Sequence, residues 1–243
     1  MDCSGPIIPT SREHGADPVV ALAGNPNTGK STLFNALTGL HQHTGNWPGK
    51  TVLHTQGQYV HQGVGYTVVD LPGTYSLIAN SLDEEVARDF IYLQKPDVTL
   101  IIADATCLER NLNLALQIME ITNQVVLGVN LMDEARRKNM VIDIQELQRQ
   151  LGVPVIPLEA RQGVGLQKLK DTIAGVVDGH IVPQPRLVRY ESDIEEAVAL
   201  LEPQLRAILR EDARARWLSL RILEGNLDLL KNLFLQDSTK EAV

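Results

Sequence analysis

The sequence predicts an α/β domain with a mostly parallel six-stranded sheet and helices on both faces, followed by a small all-helical subdomain. Two patterns predict the sheet. Continuous apolar runs alternate with segments whose apolar residues recur at helical spacing, which is typical of parallel strands covered on both faces. A glycine-rich loop, Gly24–Ser31, also joins the first apolar run to the first helical segment. The subdomain is predicted by a change of composition at Gly179–Pro185, where two prolines favour a linker.

The first part of the predicted sheet contains three strands. The first strand is Val19–Ala23, and a helix that ends near Gly39 follows the glycine-rich loop. The next segment, His41–Lys50, is polar and rich in Gly, Pro and His, and we expect it to be a mobile loop. Leu53–Val60 and Tyr66–Leu71 flank a glycine-containing turn and predict an antiparallel hairpin.

The rest of the chain alternates between helices and strands and then becomes helical. Ser81 and Glu84 form a capping-box pattern before a helix that ends near Leu93. The later strands are predicted at Val98–Ala103, Val125–Val129 and Val153–Pro157, and the later helices at Leu108–Thr122, Ile142–Leu151 and Leu166–Val177. In the tail, helical spacing recurs from Ile194 to Ile208, from Trp217 to Gly225 and over Leu227–Phe234. We therefore expect a flexible N-terminus at 1–17, the α/β domain at 18–178, a linker at 179–186 and a helical subdomain at 187–243.

Composition restricts the function classes. The 243 residues carry a formal net charge of −8, which disfavours a surface that binds nucleic acid or anionic membranes. Cys3 and Cys107 lack the spacing of a metal site, so a reduced cytosolic setting is the simpler interpretation. The apolar runs are far shorter than the roughly 18 residues that span a bilayer, so we expect no membrane-spanning segment.

The glycine-rich loop has the pattern of a phosphate-binding loop. Gly24 and Gly29 allow the backbone to wrap closely around an anion, and the N–H groups of the loop and of the following helix point at it. Lys30 adds a positive charge, and the Ser31 hydroxyl is a ligand for Mg²⁺. The pattern predicts a nucleoside triphosphate, held by Gly24, Asn25, Pro26, Asn27, Thr28, Gly29, Lys30, Ser31 and Thr32.

The second hairpin strand ends in a DxxG pattern, Asp70-Leu71-Pro72-Gly73. In this pattern the aspartate contacts the metal, usually through water, and the glycine N–H reaches the γ-phosphate. By itself the pattern is also typical of a plain turn. The phosphate-binding loop on the neighbouring part of the predicted sheet favours Asp70 and Gly73 as site residues.

An NxxD pattern, Asn130-Leu131-Met132-Asp133, follows a strand that carries it to the carboxyl edge of the sheet. The Asp133 carboxylate can accept two hydrogen bonds from guanine N1–H and the 2-amino group, whereas adenine would leave it unpaired. Asn130 is expected to bond to the purine N7 and brace the loop, and the Ala160 N–H to bond to guanine O6. Taken alone, NxxD is also typical of a helix N-cap. The predicted base-binding residues are Asn130, Met132, Asp133, Glu159, Ala160 and Arg161.

The order of these patterns, each at the end of a predicted strand, resembles that of the Ras-like P-loop GTPases. The resemblance implies binding of GTP and GDP with Mg²⁺, and hydrolysis by water. Thr74 stands where Ras-type enzymes place the glutamine that orients the water, which predicts slow or differently organised hydrolysis. Leu131 replaces the lysine of the common NKxD pattern, which predicts weaker guanine binding without a change of specificity.

The amino-acid sequences of four segments resemble, more closely, those of the FeoB family of bacterial ferrous-iron transporters. These are Gly24–Ser31, Gly45–Thr51, Asp70–Leu77 and Asn130–Ala135. The resemblance covers Val19–Val177, and the helical tail is similar in position to the GDI-like domain of that family. In the family, the two units form the cytoplasmic N-terminal part of a much longer inner-membrane protein.

This resemblance implies a location and partners. The chain would be a soluble domain at the cytoplasmic face of the bacterial inner membrane. Its partners would be guanine nucleotide, the transmembrane permease portion of the same longer protein and small Feo accessory proteins. Nucleic acid is not expected, and a homo-oligomer is left open.

The same resemblance implies roles for individual residues. Thr51 is similar to the switch I threonine that joins Ser31 on Mg²⁺, and Gly49 and Lys50 precede it in the same nucleotide-contacting loop. Asn27 matches an asparagine that holds K⁺ in potassium-activated relatives, with carbonyls near Gly45 and Trp47 as further ligands. The alternative is that Asn27 only forms a turn. Expected catalytic residues are Lys30, Thr51, Gly73 and Asn27, and expected metal ligands are Ser31, Thr51 and Asp70 for Mg²⁺ and Asn27, Gly45 and Trp47 for K⁺.

The expected function is a GTP-binding and slowly GTP-hydrolysing regulatory domain of a ferrous-iron transporter, whose switch loops couple nucleotide state to iron uptake. The main alternative is a soluble regulatory GTPase that acts on RNA or the ribosome. An RNA-binding appendage is expected to be basic, whereas nine Lys or Arg accompany eleven Asp or Glu between Ile181 and Val243. A second alternative, an ATP-driven regulator, is opposed by Asp133.

Overall fold

Two units make up the chain, and the computed structural model describes residues 17–39, 42–47, 52–78, 81–209 and 215–225 of it. The first unit comprises Met1–Met119 and Asn123–Arg186. The second comprises Glu120–Thr122 and Leu187–Val243.

A seven-stranded sheet is the centre of the first unit, with the strand order β2-β3-β4-β1-β5-β6-β7. The strands are β1 (Val19–Gly24), β2 (Gln42–Asn46), β3 (Leu53–His61), β4 (Val64–Asp70), β5 (Val98–Asp104), β6 (Val125–Asn130) and β7 (Val155–Pro157). β1 pairs in parallel with β4 and β5, and β6 pairs in parallel with β5 and β7. The β2–β3 and β3–β4 pairs are antiparallel. The predicted mostly parallel sheet and the predicted hairpin are therefore confirmed.

The prediction of six strands was one short, because part of the expected mobile loop is a strand. Residues 42–46 form β2, an edge strand whose Thr44 pairs with Thr55 of β3. An edge strand is held by main-chain hydrogen bonds on one side and need not carry an alternating apolar pattern. The polar, glycine-containing sequence therefore did not indicate a strand. His41 and the residues 48–50 of the same expected loop lie outside the described residues.

Six α-helices lie in the described part of the first unit, except for the last two residues of the third, which belong to the second unit. They are α1 (Lys30–Thr38), α2 (Leu82–Asp89), α3 (Leu108–Ile121), α4 (Met132–Arg137), α5 (Ile144–Leu151) and α6 (Leu166–Val177). The Ser81 hydroxyl accepts a hydrogen bond from the Glu84 N–H at 3.3 Å, so Ser81 caps α2 as the capping-box pattern predicts. α1 ends at Gly39, whose φ of 62° is the left-handed conformation that glycine favours. The six-residue helix α4 was not predicted, because it is too short for a periodic pattern.

Helices cover both faces of the sheet. Leu33 of α1 and Ile173 of α6 belong to one core cluster with Leu22, Leu100 and other strand residues. The side chain of Ile101 points to the opposite face, because successive side chains alternate along a strand. It is also fully buried. The predicted two-sided packing is confirmed.

Two helices form the described part of the second unit, α7 (Ser192–Leu209) and α8 (Ala215–Leu223). Val198 and Trp217 are buried, and the Arg216 guanidinium of α8 donates two hydrogen bonds, of 2.9 and 2.7 Å, to Glu195 of α7. These bonds hold the pKa of Glu195 at about 2. The two predicted helical patterns are confirmed, and the third, at Leu227–Phe234, lies outside the described residues. No helix in the described ranges combines the length and the apolar character that crossing a membrane requires.

Candidate nucleotide-binding site

The phosphate-binding loop lies between β1 and α1, at the carboxyl edge of the sheet. In the register of the sheet, Leu22 of β1 pairs with Asp70 of β4, and Gly24 pairs with Ile102 of β5. The fold therefore brings the DxxG segment beside the phosphate-binding loop. In open α/β sheets this edge is where ligands bind.

Two glycines of the loop cannot carry a side chain. A β-carbon on Gly24 would lie 2.6 Å from the carbonyl oxygen of Ile102. Gly29 has a φ of 82°, and a β-carbon there would overlap the Asn130 amide. Asn27 has a φ of 66°, a left-handed conformation that asparagine tolerates better than most residues. The loop is therefore bent closely, as a backbone that surrounds phosphate must be.

Asn25 leaves polar atoms of the loop available to a ligand. Its side chain is buried, and neither its amide oxygen nor its amide nitrogen has a hydrogen-bond partner among the described residues. The Thr28 hydroxyl, by contrast, donates to the Asn25 carbonyl oxygen at 3.0 Å. Buried polar groups are nearly always hydrogen-bonded, so the unsatisfied amide fits a loop that takes a polar ligand.

Lys30 is held by the DxxG segment. Its ammonium group forms an ion pair with Asp70 and donates a hydrogen bond of 2.6 Å to the Leu71 carbonyl oxygen. Burial raises the pKa of Asp70, and the charge and hydrogen bond of Lys30 oppose that rise. Ser31, the second residue of α1, is exposed at the same end of the helix. The structure thus groups one cation and two oxygen-bearing side chains at the phosphate end of the site.

The segment after Asp70 also contacts the phosphate-binding loop. A β-carbon on Gly73 would lie 3.4 Å from Pro26, and the Thr74 N–H donates to the Gly24 carbonyl oxygen at 3.3 Å. Gln117 of α3 anchors the following residues, accepting hydrogen bonds from the Ser76 hydroxyl at 3.2 Å and from the Leu77 N–H at 2.7 Å. Sequence reasoning missed Gln117, because nothing in the helical pattern of α3 distinguishes it.

Asn130 connects the phosphate-binding loop to the loop after β7. Its amide nitrogen donates to the Thr28 carbonyl oxygen at 2.9 Å, and its amide oxygen accepts from the Ala160 N–H at 3.0 Å. The side chain is fully enclosed, with 1% exposure. The Ala160 N–H, predicted to donate to guanine O6, therefore already has an acceptor and would have to be shared or released.

Asp133 faces an open pocket of about 800 Å³. The pocket is lined by Asp133, Arg136, Arg137, Arg161 and Gln162. The Asp133 carboxylate accepts hydrogen bonds from Arg137 at 3.2 Å and Gln162 at 3.4 Å, both at the same oxygen. The pocket has the size of a small-molecule site. The pattern search did not single out Arg136, Arg137 or Gln162, although the two arginines follow Asp133 at helical spacing.

The backbone of the NxxD segment is strained. Leu131, which precedes α4, has φ 62° and ψ 32°, a left-handed conformation that is uncommon for a residue other than glycine or asparagine. The Met132 N–H donates to the Leu158 carbonyl oxygen at 3.3 Å, so Met132 acts here through its backbone. Glu159 forms an ion pair with Arg136 of α4. Strain of this kind persists only where surrounding contacts hold it.

The residues predicted to hold K⁺ lie on different elements. Gly45 lies on β2, which β3 and β4 separate from β1, whereas Asn27 lies in the loop after β1. Trp47 is buried against Phe90, with ring centroids 5.2 Å apart and the planes at 68°. Gly49, Lys50 and Thr51 lie outside the described residues.

A phosphate-binding loop between β1 and α1, with DxxG and NxxD segments at the same edge of a mostly parallel sheet, defines a P-loop domain of the Ras-like GTPase fold. Residues 18–173 match the family model described as Ferrous iron transport protein B, and residues 190–243 match the model of the FeoB cytosolic helical domain. The chain belongs to the ferrous iron transport protein B family. This finding confirms the family resemblance.

Individual relatives agree. The Fe(2+) transport protein A/Fe(2+) transporter FeoB fusion protein of Porphyromonas gingivalis is 36% identical over 225 residues, which are 91% of this chain and 26% of that protein. The chain therefore spans about a quarter of the length of the curated relatives it matches. The cytosolic domain of T. maritima FeoB in GDP form II has a TM-score of 0.82 and 36% identity, covering 89% of this chain and 85% of that one. The same domain of T. maritima FeoB in GMPPNP form has a TM-score of 0.80 and 37% identity, covering 86% of this chain and 81% of that one.

Proposed function

We propose that this chain binds guanine nucleotides, hydrolyses GTP slowly and is the nucleotide-responsive part of a longer ferrous-iron transporter. The observation that carries the proposal is the Asp133 carboxylate facing a pocket whose neighbour Asn130 is bonded to the phosphate-binding loop. The residue proposed to bind the base and the phosphate-binding loop are thus parts of one connected site. The relatives from T. maritima, whose structures are described as GDP and GMPPNP forms, support the same nucleotide class.

Guanine recognition rests on the charge of Asp133. The carboxylate accepts hydrogen bonds from N1–H and the 2-amino group, and it remains unpaired beside adenine. Asn130 links the phosphate-binding loop to the Ala160 loop through its hydrogen bonds with the Thr28 carbonyl oxygen and the Ala160 N–H. This chemistry disfavours an ATP-driven regulator.

Phosphate binding rests on Lys30 and on the N–H groups of the loop and of the α1 N-terminus. When nucleotide enters, the Lys30 ammonium exchanges Asp70 and Leu71 for phosphate oxygens, which frees the Asp70 carboxylate. Ser31, Asp70 and Thr51 would then hold Mg²⁺, because hydroxyl and carboxylate oxygens are the ligands that Mg²⁺ prefers. When bound, Mg²⁺ offsets negative charge on the phosphate oxygens.

Hydrolysis is attack of water on the γ-phosphorus. The bond between the γ-phosphorus and the bridging oxygen breaks, and GDP, inorganic phosphate and a proton leave. Lys30 and the N–H groups of the loop and of Gly73 stabilise the charge that develops. Thr74 is buried and supplies no carboxamide to orient the water, so slow turnover follows.

The proposed role in iron transport is inferred from the relatives of this chain. Relatives of this chain are named Fe(2+) transporter FeoB, and the family model supports this class over a GTPase of RNA or the ribosome. The nucleotide-dependent segment after Gly73 is anchored to α3 through Gln117, which offers a route from the γ-phosphate to the helical scaffold. Partners in this role are the permease portion of the longer protein and small accessory proteins, at the cytoplasmic face of the inner membrane. Sedimentation velocity can test whether this chain associates with itself.

Nucleotide competition tests the proposal. With Mg²⁺ present, a fluorescent GDP analogue bound to the chain should be displaced by GDP and GTP, whereas ATP should need a concentration at least about a hundredfold higher. Phosphate release from GTP should be slow and should require Mg²⁺. Displacement by ATP at a similar concentration, or no binding of any guanine nucleotide, would contradict the proposal.

A K⁺ role for Asn27 has its own test. Because φ at Asn27 is 66°, Asn27→Gly removes the amide without straining the loop, whereas alanine would strain it. If Asn27 holds K⁺, Asn27→Gly should abolish any acceleration of GTP turnover by K⁺ over Na⁺. Asn139→Gly, at φ 56°, is the matched control, and an unchanged K⁺ to Na⁺ ratio in Asn27→Gly would leave Asn27 as a turn former.

A further inference from the structure

The groups proposed to bind guanine lie on two segments that an ion pair helps to hold together. Asp133 is on α4, and the Ala160 N–H is on the loop after β7. Arg136 of α4 and Glu159 of that loop are the ion pair. We infer that Arg136 is a positioning residue that holds the Asp133 helix against the Ala160 loop and so sets how long a guanine nucleotide stays bound. The inference rests on the proposed guanine site and assigns a role to a residue outside its motifs.

Burial makes this ion pair different from ordinary surface pairs. The Glu159 side chain is 9% exposed, whereas Arg136 is 67% exposed and reaches in from the surface. Arg136 is the cation paired with Glu159 within the described ranges. A carboxylate this enclosed is unfavourable without its cation, so removing Arg136 drives Glu159 toward water.

Movement of Glu159 cannot be local. Its N–H donates to the Val164 carbonyl oxygen at 3.1 Å, and its own carbonyl oxygen accepts from Val164 and Gln162 at 3.3 and 2.9 Å. These bonds close residues 159–164 into a tight loop, so we expect a displacement of Glu159 to be passed on to the rest of the loop. Ala160 is the next residue in that loop, so a displaced Glu159 shifts the Ala160 N–H away from Asn130.

Helix α4 also depends on the pair. It has six residues, begins after a strained Leu131 and is too short to be stable through its own hydrogen bonds. Buried Ala135 and the Arg136–Glu159 pair tie it to the rest of the site. Loss of the pair therefore loosens the helix that carries Asp133, which is then linked to the Ala160 loop and the end of β7 by the long hydrogen bonds from Gln162 to Asp133 and from the Met132 N–H to Leu158.

Arg137 provides a contrast on the same helix. It hydrogen-bonds to Asp133 itself and is 70% exposed, so it occupies the carboxylate that guanine needs. The ion pairs that Arg137 forms within the described ranges are with Asp133 and Glu134 of its own helix. A better control is Arg149, which pairs with Glu146 on α5 with both side chains about half exposed and no link to the base pocket.

Dissociation of a fluorescent GDP analogue, measured by stopped flow, tests the inference. Arg136→Ala should release GDP about tenfold faster than the parent chain, the change expected when one anchoring contact of about 1.4 kcal/mol is lost. Arg136→Lys should restore part of the residence time, and Arg149→Ala should match the parent. Raising the salt concentration should speed release more in the parent than in Arg136→Ala, because only the parent has this ion pair to screen, whereas the contacts between Lys30 and the phosphates respond to salt in both proteins.

The Arg136→Ala variant should also discriminate less well between guanine and a base that lacks the 2-amino group. The ratio of GDP to IDP affinity reports the hydrogen bond from the 2-amino group to Asp133, and it should fall in Arg136→Ala. A general loss of folding would instead change bound fraction without changing this ratio. Glu159→Gln is the second variant if Arg136→Ala does not fold, since it keeps the shape but leaves no buried charge. It should release GDP several-fold faster and lose the part of the salt dependence that the ion pair contributes.

The outcomes separate this inference from the proposed function. If the parent chain binds no guanine nucleotide, the proposed function itself is wrong. If the parent binds GDP, but Arg136→Ala and Glu159→Gln both keep its release rate, salt dependence and GDP to IDP ratio, only the positioning role is overturned.

Discussion

Asp133→Asn should lower the affinity for GDP by about 10²- to 10⁴-fold, because it removes the charge from two hydrogen bonds worth roughly 1.5–3 kcal/mol each. An asparagine amide presents one oxygen acceptor and one N–H donor in place of two acceptors. Guanine offers two donors at this edge, so one donor of the base would face a donor of the protein. Xanthine carries a carbonyl at position 2, and XDP should therefore bind the variant better than it binds the parent.

Isothermal titration of both proteins with GDP and XDP measures this exchange of specificity. Asp143→Asn is the control, because Asp143 caps α5 by accepting from the Glu146 N–H at 2.9 Å and asparagine is an equally good cap. Asp143→Asn should bind GDP like the parent. The account of base recognition would be wrong if Asp133→Asn kept the parental preference for GDP over XDP.

Lys30→Ala should lower GTP turnover by about 10²- to 10³-fold, the usual effect of removing one electrostatic stabiliser of a transition state. The ammonium is the one cation that the described structure places at the phosphate-binding loop, in contact with Asp70 and Leu71. GDP binding should weaken as well, since the β-phosphate loses the same partner. Lys30→Arg should restore little, because a planar guanidinium does not replace a compact ammonium in a closely bent loop.

Single-turnover hydrolysis and GDP titration measure the two effects of Lys30→Ala separately. Lys170→Ala is the control, since Lys170 lies on α6 over the Tyr59 ring, at 5.1 Å from its centroid. It should leave turnover unchanged. Parental turnover in Lys30→Ala would remove Lys30 from the mechanism.

The same substitution should change how stability depends on pH. Burial raises the pKa of Asp70 and Lys30 opposes the rise, so in Lys30→Ala the pKa should rise further. A carboxyl group with a raised pKa contributes stability below its unfolded pKa of about 3.9 and loses it as the pH rises through its folded pKa. The deficit in the free energy of unfolding should therefore grow from about pH 4 toward pH 7, measured by urea unfolding without nucleotide. A deficit that is constant with pH would contradict this coupling.

Much of the fold could be predicted because its signals are local. β1, β5 and β6 are continuous apolar runs, and the helices between them repeat apolar residues at a helical period. Gly24 and Gly29 predicted the bent loop. In the structure Gly24 is needed because the Ile102 carbonyl oxygen lies close to it, and Gly29 because its φ is positive. The roles of the individual site residues stay predictions until the substitutions above are measured.

The remaining features have no local signal. β2 is polar and is a strand only because the edge of β3 offers main-chain partners. Arg136 and Glu159 lie 23 positions apart, and Gln117 lies about 40 positions from the residues it anchors. Nothing in the local sequence distinguishes these arginine, glutamate and glutamine residues from others of the same types that make no such contacts.

The sequence by itself determined the α/β class, the phosphate-binding loop and the guanine-type NxxD pattern, because hydrophobic period, glycine placement and motif order are written along the chain. Only the tertiary structure decided that Lys30 rests on Asp70, that Asn130 already occupies the Ala160 N–H, and that Arg136 ties the Asp133 helix to the Ala160 loop. The physical reason is that these are pairings between distant segments. Their geometry exists only after the sheet has set the segments side by side.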